Sequence, residues 1–290
     1  MLHIDSRGIP CTQAVDIQSG AERTVTDRWG NFSPSGRFLF SLGTTAEAMR
    51  VSDLETFDSW DLAHLGVHVV TNRSESHVAA IVRTPGERPP FTFPADVVVA
   101  TVDGSDRQLL GQVLGTIAGW RADNSVLVIG RDHLAATSTL RVMGLDGTLR
   151  VEWALGRRVR SAQVSPDGRH MTFAVILDDP HRNGLFVIDL FTGHQRQLPS
   201  NMNTRWLPDG SGLLALALSR REGKSFQIWR VAFPQLYIEG PLTDPDRHDI
   251  NIESMDWQVS PSGNALAFRT AREARLQILT WERGRQHDSP

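Results

Sequence analysis

One turn motif returns along this chain at a nearly fixed interval, and that period limits the fold more than any local pattern does. Four copies are clear: Phe32-Ser33-Pro34-Ser35-Gly36, Val164-Ser165-Pro166-Asp167-Gly168, Trp206-Leu207-Pro208-Asp209-Gly210 and Val259-Ser260-Pro261-Ser262-Gly263. Two weaker copies fill the gaps, Trp120-Arg121-Ala122-Asp123-Asn124 and Asn72-Arg73-Ser74-Glu75-Ser76. With the proline place as register, the copies sit at 34, 74, 122, 166, 208 and 261. Pro presets φ, Asp or Ser bonds the neighbouring backbone, and Gly or Asn tolerates positive φ, so each copy reads as a tight turn between antiparallel strands. Turns recurring every 40 to 50 residues or so, each followed by an apolar strand, are the blade interval of a propeller.

The flanks repeat as well. Five residues past the proline place stand Leu39, Ala79, Leu127, Met171, Leu213 and Leu266, all apolar. Two residues before it stand Phe32, Asn72, Trp120, Val164, Trp206 and Val259, apolar in five of six, while three before it stand Asn31, Thr71, Gly119, Gln163, Arg205 and Gln258. Opposite faces of the first strand therefore carry opposite chemistry, as a half-buried strand requires. Later in each repeat, Asp/Gly signals such as Val102-Asp103-Gly104-Ser105, Leu145-Asp146-Gly147 and Ile188-Asp189-Leu190-Phe191-Thr192-Gly193 mark a second hairpin, giving four strands per repeat. The stretch from Ala14 to Thr26 is such a hairpin without preceding strands, and the last repeat runs out after three. The expected fold is all-β: a single propeller domain over 1–290, six-bladed, with four-stranded antiparallel blades. Residues 1–26 close the ring by adding the missing outer strand, and 285–290 form a flexible tail.

The run Val164-Ser165-Pro166-Asp167-Gly168-Arg169-His170-Met171-Thr172-Phe173, followed by Leu185-Phe186-Val187-Ile188-Asp189, resembles the TolB-like propeller repeat, a WD-repeat-like class with a Ser-Pro-Asp-Gly signature. The resemblance covers nearly the whole chain and implies a six-bladed propeller. It departs at the second repeat, where Pro and Gly are both missing. The same repeat class forms the propeller part of prolyl-oligopeptidase-like hydrolases, but no hydrolase domain fits after the sixth blade.

Chemical motifs are sparse. No Gly-x-Ser-x-Gly elbow occurs, which argues against a serine hydrolase. Gly223-Lys224-Ser225 mimics the end of a phosphate loop, but Leu218 stands at the upstream Gly place. His64 and His68 lack the metalloprotease Glu between them, and His77, His133, His170, His181, His194 and His248 fall at unrelated repeat phases. Asp178-Asp179 and Asp244-Pro245-Asp246 read as solvated turns, as do the basic clusters Arg157-Arg158-Val159-Arg160 and Arg220-Arg221-Glu222-Gly223-Lys224. Trp120, Trp206 and Trp257 read as packing between blades. No catalytic residue, metal ligand or cofactor is expected.

A formal charge of −3 gives no field for nucleic acid, and no apolar run approaches the length of a membrane span. With the single cysteine Cys11 and no signal-like start, the expectation is a cytoplasmic monomer. In a propeller the first strands line the channel, so the polar places make a ring in which Asp256, Asn203 and Ser161 continue on the same side. The connectors Thr84 to Ala95, Asp178 to Gly184, Arg220 to Lys224 and Asp244 to Glu253 share one face. Loops held by a rigid scaffold are where binding sites usually lie. The expected function is a non-enzymatic scaffold for a protein or peptide partner, with Arg205, Gln163, Asp256 and Arg160 as binding residues at the channel mouth. The alternative is a lyase or lactonase-type propeller acting there on a small or carbohydrate-like ligand.

Overall fold

Each turn motif predicts one strand ending near its first residue and another starting just after the turn, and a computed structural model of the chain follows that plan, with the second strand beginning six residues after the first ends. It describes residues 2–4, 10–15, 22–26, 30–43, 48–65, 69–82, 93–133, 136–176, 183–198, 203–218, 226–243, 252–270 and 276–281, which form strands joined by turns and irregular connections. The 285–290 segment, and the loop acids and basic clusters at 178–179, 220–224 and 244–246, lie outside them. Two compact units divide the chain, Met1–Leu155 and Gly156–Pro290.

In the first unit β1 (Leu2–Ile4), β2 (Pro10–Val15) and β3 (Glu22–Thr26) form a sheet of their own; the hairpin of β2 and β3 begins at Pro10 rather than Ala14 and, contrary to expectation, has a preceding strand, β1, paired with β2. The first repeat ladder is β4 (Gly30–Phe32), β5 (Phe38–Leu42), β6 (Met49–Asp53) and β7 (Ser59–Leu62). The next two are fused. β8 (Val69–Thr71), β9 (His77–Val82), β10 (Ala95–Thr101), β11 (Arg107–Trp120), β12 (Val126–Arg131), β13 (Ser138–Met143) and β14 (Leu149–Gly156) make one seven-stranded sheet. The first half of β11 pairs with β10 and its second half with β12, so one strand ends the second ladder and begins the third.

The second unit holds β15 (Val159–Val164), β16 (His170–Val175), β17 (Gly184–Asp189) and β18 (Gln195–Gln197) as the fourth ladder. The fifth is β19 (Asn203–Trp206), β20 (Gly212–Leu218), β21 (Phe226–Ala232) and β22 (Ile238–Pro241). The sixth has three strands, β23 (Ile252–Val259), β24 (Ala265–Thr270) and β25 (Leu276–Thr280).

All six turns share one backbone shape, with a left-handed residue at the same place: Gly36, Glu75, Asn124, Gly168, Gly210 and Gly263 have φ of 83°, 55°, 60°, 70°, 71° and 70°. In three repeats a serine hydroxyl shapes the turn, as Ser33, Ser165 and Ser260 accept the N–H of Phe38, His170 and Ala265. Asn72 does the same work in the second repeat, its Oδ1 accepting the N–H groups of Ser76 and His77. Asn72 therefore stands at the serine place, and the proline place is Arg73 rather than Ser74. That shifts the second repeat by one residue and puts Val70, not Thr71, level with Asn31. The two repeats without glycine use the left-handed residue's side chain. Glu75 accepts from the N–H and hydroxyl of Ser35 one ladder back, and Asn124 accepts from Nδ2 of Asn72.

Within each unit, neighbouring ladders pack face to face. Phe38, Phe40 and Val51 meet Val78, Ala80 and Val98 in one core, while Ala79, Val97 and Val99 turn the other way to meet Trp120, Val126 and Val128. In the second unit Leu185 and Val187 meet Trp206, Leu213 and Ala215, and Leu214 and Leu216 meet Trp257, Leu266 and Phe268. Second strands thus bury both faces, and Leu39, Ala79, Leu127, Met171, Leu213 and Leu266 are all fully buried. Burying each leucine contributes about 1.5–3 kcal/mol. Phe32 departs from this pattern at 43% exposure, although Trp120 and Trp206 at the same place are buried.

Candidate functional site

The four expected binding residues all fall on the first strands of the second unit's ladders, where β15, β19 and β23 follow one another. A tryptophan links the first two of these strands. The indole N–H of Trp206 donates to the backbone oxygen of Gln163 at 3.1 Å, just as Trp120 donates to Val70 at 2.8 Å in the first unit. These tryptophans pack as expected, and each also ties one first strand to the one before it.

Arg205 lies between that tie and the sixth ladder. Its guanidinium stands 5.0 Å over the ring of Trp257, which is fully buried among Leu207, Leu214 and Leu266. Its Nη1 donates to Oδ1 of Asn203 at 3.2 Å and to the backbone oxygen of Thr204 at 3.0 Å. Burial pushes the guanidinium's pKa down from its usual value. It stays protonated at neutral pH, because arginine starts far above it. A planar, weakly hydrated cation stacked on an indole is held in place by that contact. The indole N–H of Trp257 is buried without a hydrogen-bond partner among the described residues.

Gln163 is half-buried on β15, and its carbonyl also accepts from the Thr172 hydroxyl at 3.4 Å. Arg160 is exposed and pairs with Ala174 inside β15, not in a connector before the strand. Between them the register slips, and Ser161 takes φ of 53°, rare for a residue with a side chain. That bulge breaks the strict alternation from which Ser161 and Gln163 are assigned one face. Asp256 lies in β23, where the register also slips between Ile252 and Trp257, and its side chain is outside the described residues. The structure thus joins Gln163 and Arg205 through Trp206 and adds Trp257 and Ser161 to the neighbourhood. Trp257 could have been found from sequence, since it stands beside Asp256 one place from Gln258.

Among the described residues no three His, Cys, Asp or Glu side chains gather as a metal site. His170 lies against aromatic rings instead, 4.6 Å from Phe233 and 6.5 Å from Trp206, with Asp189 at 3.7 Å.

No protein-family model matches the sequence, and no curated protein sequence does. Solved structures do resemble the chain. An oligogalacturonate lyase in complex with manganese is 13% identical, with a TM-score of 0.68, over 94% of this chain and 82% of that one. The oligogalacturonate lyase of Vibrio parahaemolyticus is 12% identical at 0.66, over 94% and 83%. A putative TolB from Agrobacterium tumefaciens is 14% identical at 0.52, over 79% and 87%. At these identities the likeness establishes the fold alone, a TolB-like β-propeller built from antiparallel sheets.

Proposed function

We propose that this propeller is a non-enzymatic scaffold that holds a protein or peptide partner through its loop face and channel mouth, with Arg160, Gln163, Arg205 and Asp256 as recognition residues. The observation that carries the reading is the half-buried Arg205 guanidinium on the Trp257 ring. Arginine and tryptophan dominate binding hot spots because both offer a large, preorganised surface with a polar edge. An acidic side chain or terminal carboxylate of a partner fits that edge. The test is affinity capture of the partner from the native cell with the full chain, followed by binding to Arg205→Ala and Asp256→Ala variants that fold normally. Undiminished affinity in both removes the site.

A second reading is a polysaccharide lyase, favoured by two oligogalacturonate lyase structures that each cover 94% of the chain. Turnover of oligogalacturonate by the purified protein with manganese would replace the scaffold reading. For the fold, the proposal is six blades in one domain, with the N-terminal region supplying the outer strand that β23–β25 lacks. Supporting it, the fourth and fifth ladders have four strands and the sixth has three. That β1–β3 form a sheet of their own favours a seventh, partial blade instead. In either case removal of residues 1–26 exposes an edge and causes aggregation or loss of cooperative unfolding. A soluble truncation that unfolds in one transition would show that the N-terminus closes nothing.

A further inference from the structure

Among the described residues, the outer strands of the ladders are kept short or irregular, with one exception. β7, β18 and β22 have 4, 3 and 4 residues, and the ladder pairing the outer half of β11 with β10 slips register between Val97 and Val98. Short or bulged edges are how sheets avoid pairing with other chains. β14 has 8 residues and is one edge of the seven-stranded sheet, whose other edge, β8, has 3. Alternation sets Leu149, Val151 and Trp153 on one face and Arg150 and Glu152 on the other. Leu149 is 54% exposed, and the Arg150 and Glu152 side chains are 45% and 36% exposed.

This pattern is complementary to itself. When two copies of the strand run antiparallel about a two-fold axis through Val151, Arg150 of each faces Glu152 of the other, and Leu149 faces Trp153. Opposite charges and apolar pairs placed directly across a ladder stabilise it, and like charges there destabilise it. Both charged groups are already held in position, Arg150 by Asp123 at 3.1 Å and Glu152 by Arg141 at 2.9 Å. Moving the axis by one residue sets Arg150 against Ala154 and loses the charge pairs.

We propose that β14 is an interaction edge whose occupant is β14 of a second copy of this chain, paired antiparallel about Val151, in place of the monomer expected from sequence. An interface of this kind is isologous. It is also small, so association is weak and concentration-dependent.

The test is sedimentation equilibrium of the full chain over a wide concentration range. Wild type should pass from monomer to dimer. Arg150→Glu alone and Glu152→Arg alone should each weaken association roughly tenfold, and the combined swap should restore it. Because each reversal also disturbs an ion pair within the chain, a crosslink gives an independent readout. In a Cys11→Ser background, Val151→Cys should oxidise to a covalent dimer, since residues on the axis come within about 5.5 Å, inside disulfide range. Leu149→Cys should not, because its copies lie several residues apart along the ladder. A chain that stays monomeric, single reversals without effect, a double swap that fails to rescue, or equal crosslinking at both positions would each overturn the proposal.

Discussion

Gly210, in the turn between β19 and β20, and Gly212, the first residue of β20, offer a test of what the recurring motif is for, because they are required for different physical reasons. Gly210 has φ of 71°, and a Cβ built on it meets nothing within 4 Å. Space is therefore no obstacle, and the cost of a side chain is conformational, about 1–2 kcal/mol for an ordinary residue and nearer 3 kcal/mol for a β-branched one. Gly212 is the reverse: a Cβ there would stand 2.5 Å from the backbone oxygen of Val231 on the neighbouring strand. Thermal unfolding of the purified chain should separate the two. Gly210→Val should lower the midpoint by several degrees, at roughly 2–4 °C per kcal/mol. Gly210→Asn should lose much less, because asparagine tolerates the left-handed region and Asn124 occupies it in the third repeat at φ of 60°. At Gly212, Asn should fare no better than Ala, since the clash begins at Cβ. Gly168, with φ of 70°, should repeat the Gly210 result. If Gly210→Asn is as damaging as Gly210→Val, or Gly212→Ala is harmless, the account of these turns is wrong.

Two further outcomes follow from the packing between the fourth and fifth ladders. Burial beside Phe233 and Trp206 lowers the pKa of His170 from 6.5, against the opposing pull of Asp167 and Asp189 and with help from Arg169 and Arg196. The folded state thus favours the neutral ring. Its contribution is complete above about pH 6.5 and is lost as the pH falls from there through the lowered value, because the unfolded chain takes up the proton first. Melting profiles against pH should show this loss in wild type and a flatter course in His170→Gln, whereas parallel profiles would exclude it. Trp206→Phe removes one of two donors to the Gln163 carbonyl and should cost about 0.5–1.5 kcal/mol in urea unfolding; an unchanged midpoint would show that the tie carries no weight.

The turns were legible because Pro, Ser, Asp and Gly each leave a distinct local requirement, and the left-handed residue stands at the same place in all six. Registers were less so. Asn72 reads as an apolar place filled by a polar residue, and only its bonds to Ser76 and His77 show that it does a serine's work. Glu75 at positive φ has no sequence signature, because its compensation is a bond to Ser35, 40 residues away. Period-2 alternation holds for some half-buried strands but cannot hold for second strands, where Val78, Ala79 and Ala80 are all buried between two neighbours. At the candidate site the residue types were readable, but the bulge at Ser161 was not, since a register slip depends on the partner strand. The stacking of Arg205 on Trp257 joins two repeats and is set by how their ladders face each other.

β11 runs through fourteen residues without a connector, paired first with β10 and then with β12. Between the third and fourth ladders the boundary is instead a bend at Arg157 and Arg158, and irregular connections absorb added or lost residues at small cost. Here a single residue inserted between Val113 and Leu114 would turn every side chain of the following half to the opposite face, taking Ile117 out of the core and leaving Thr116 in its place. The second and third repeats are consequently locked in one register, and a change of length at this junction is felt by both ladders.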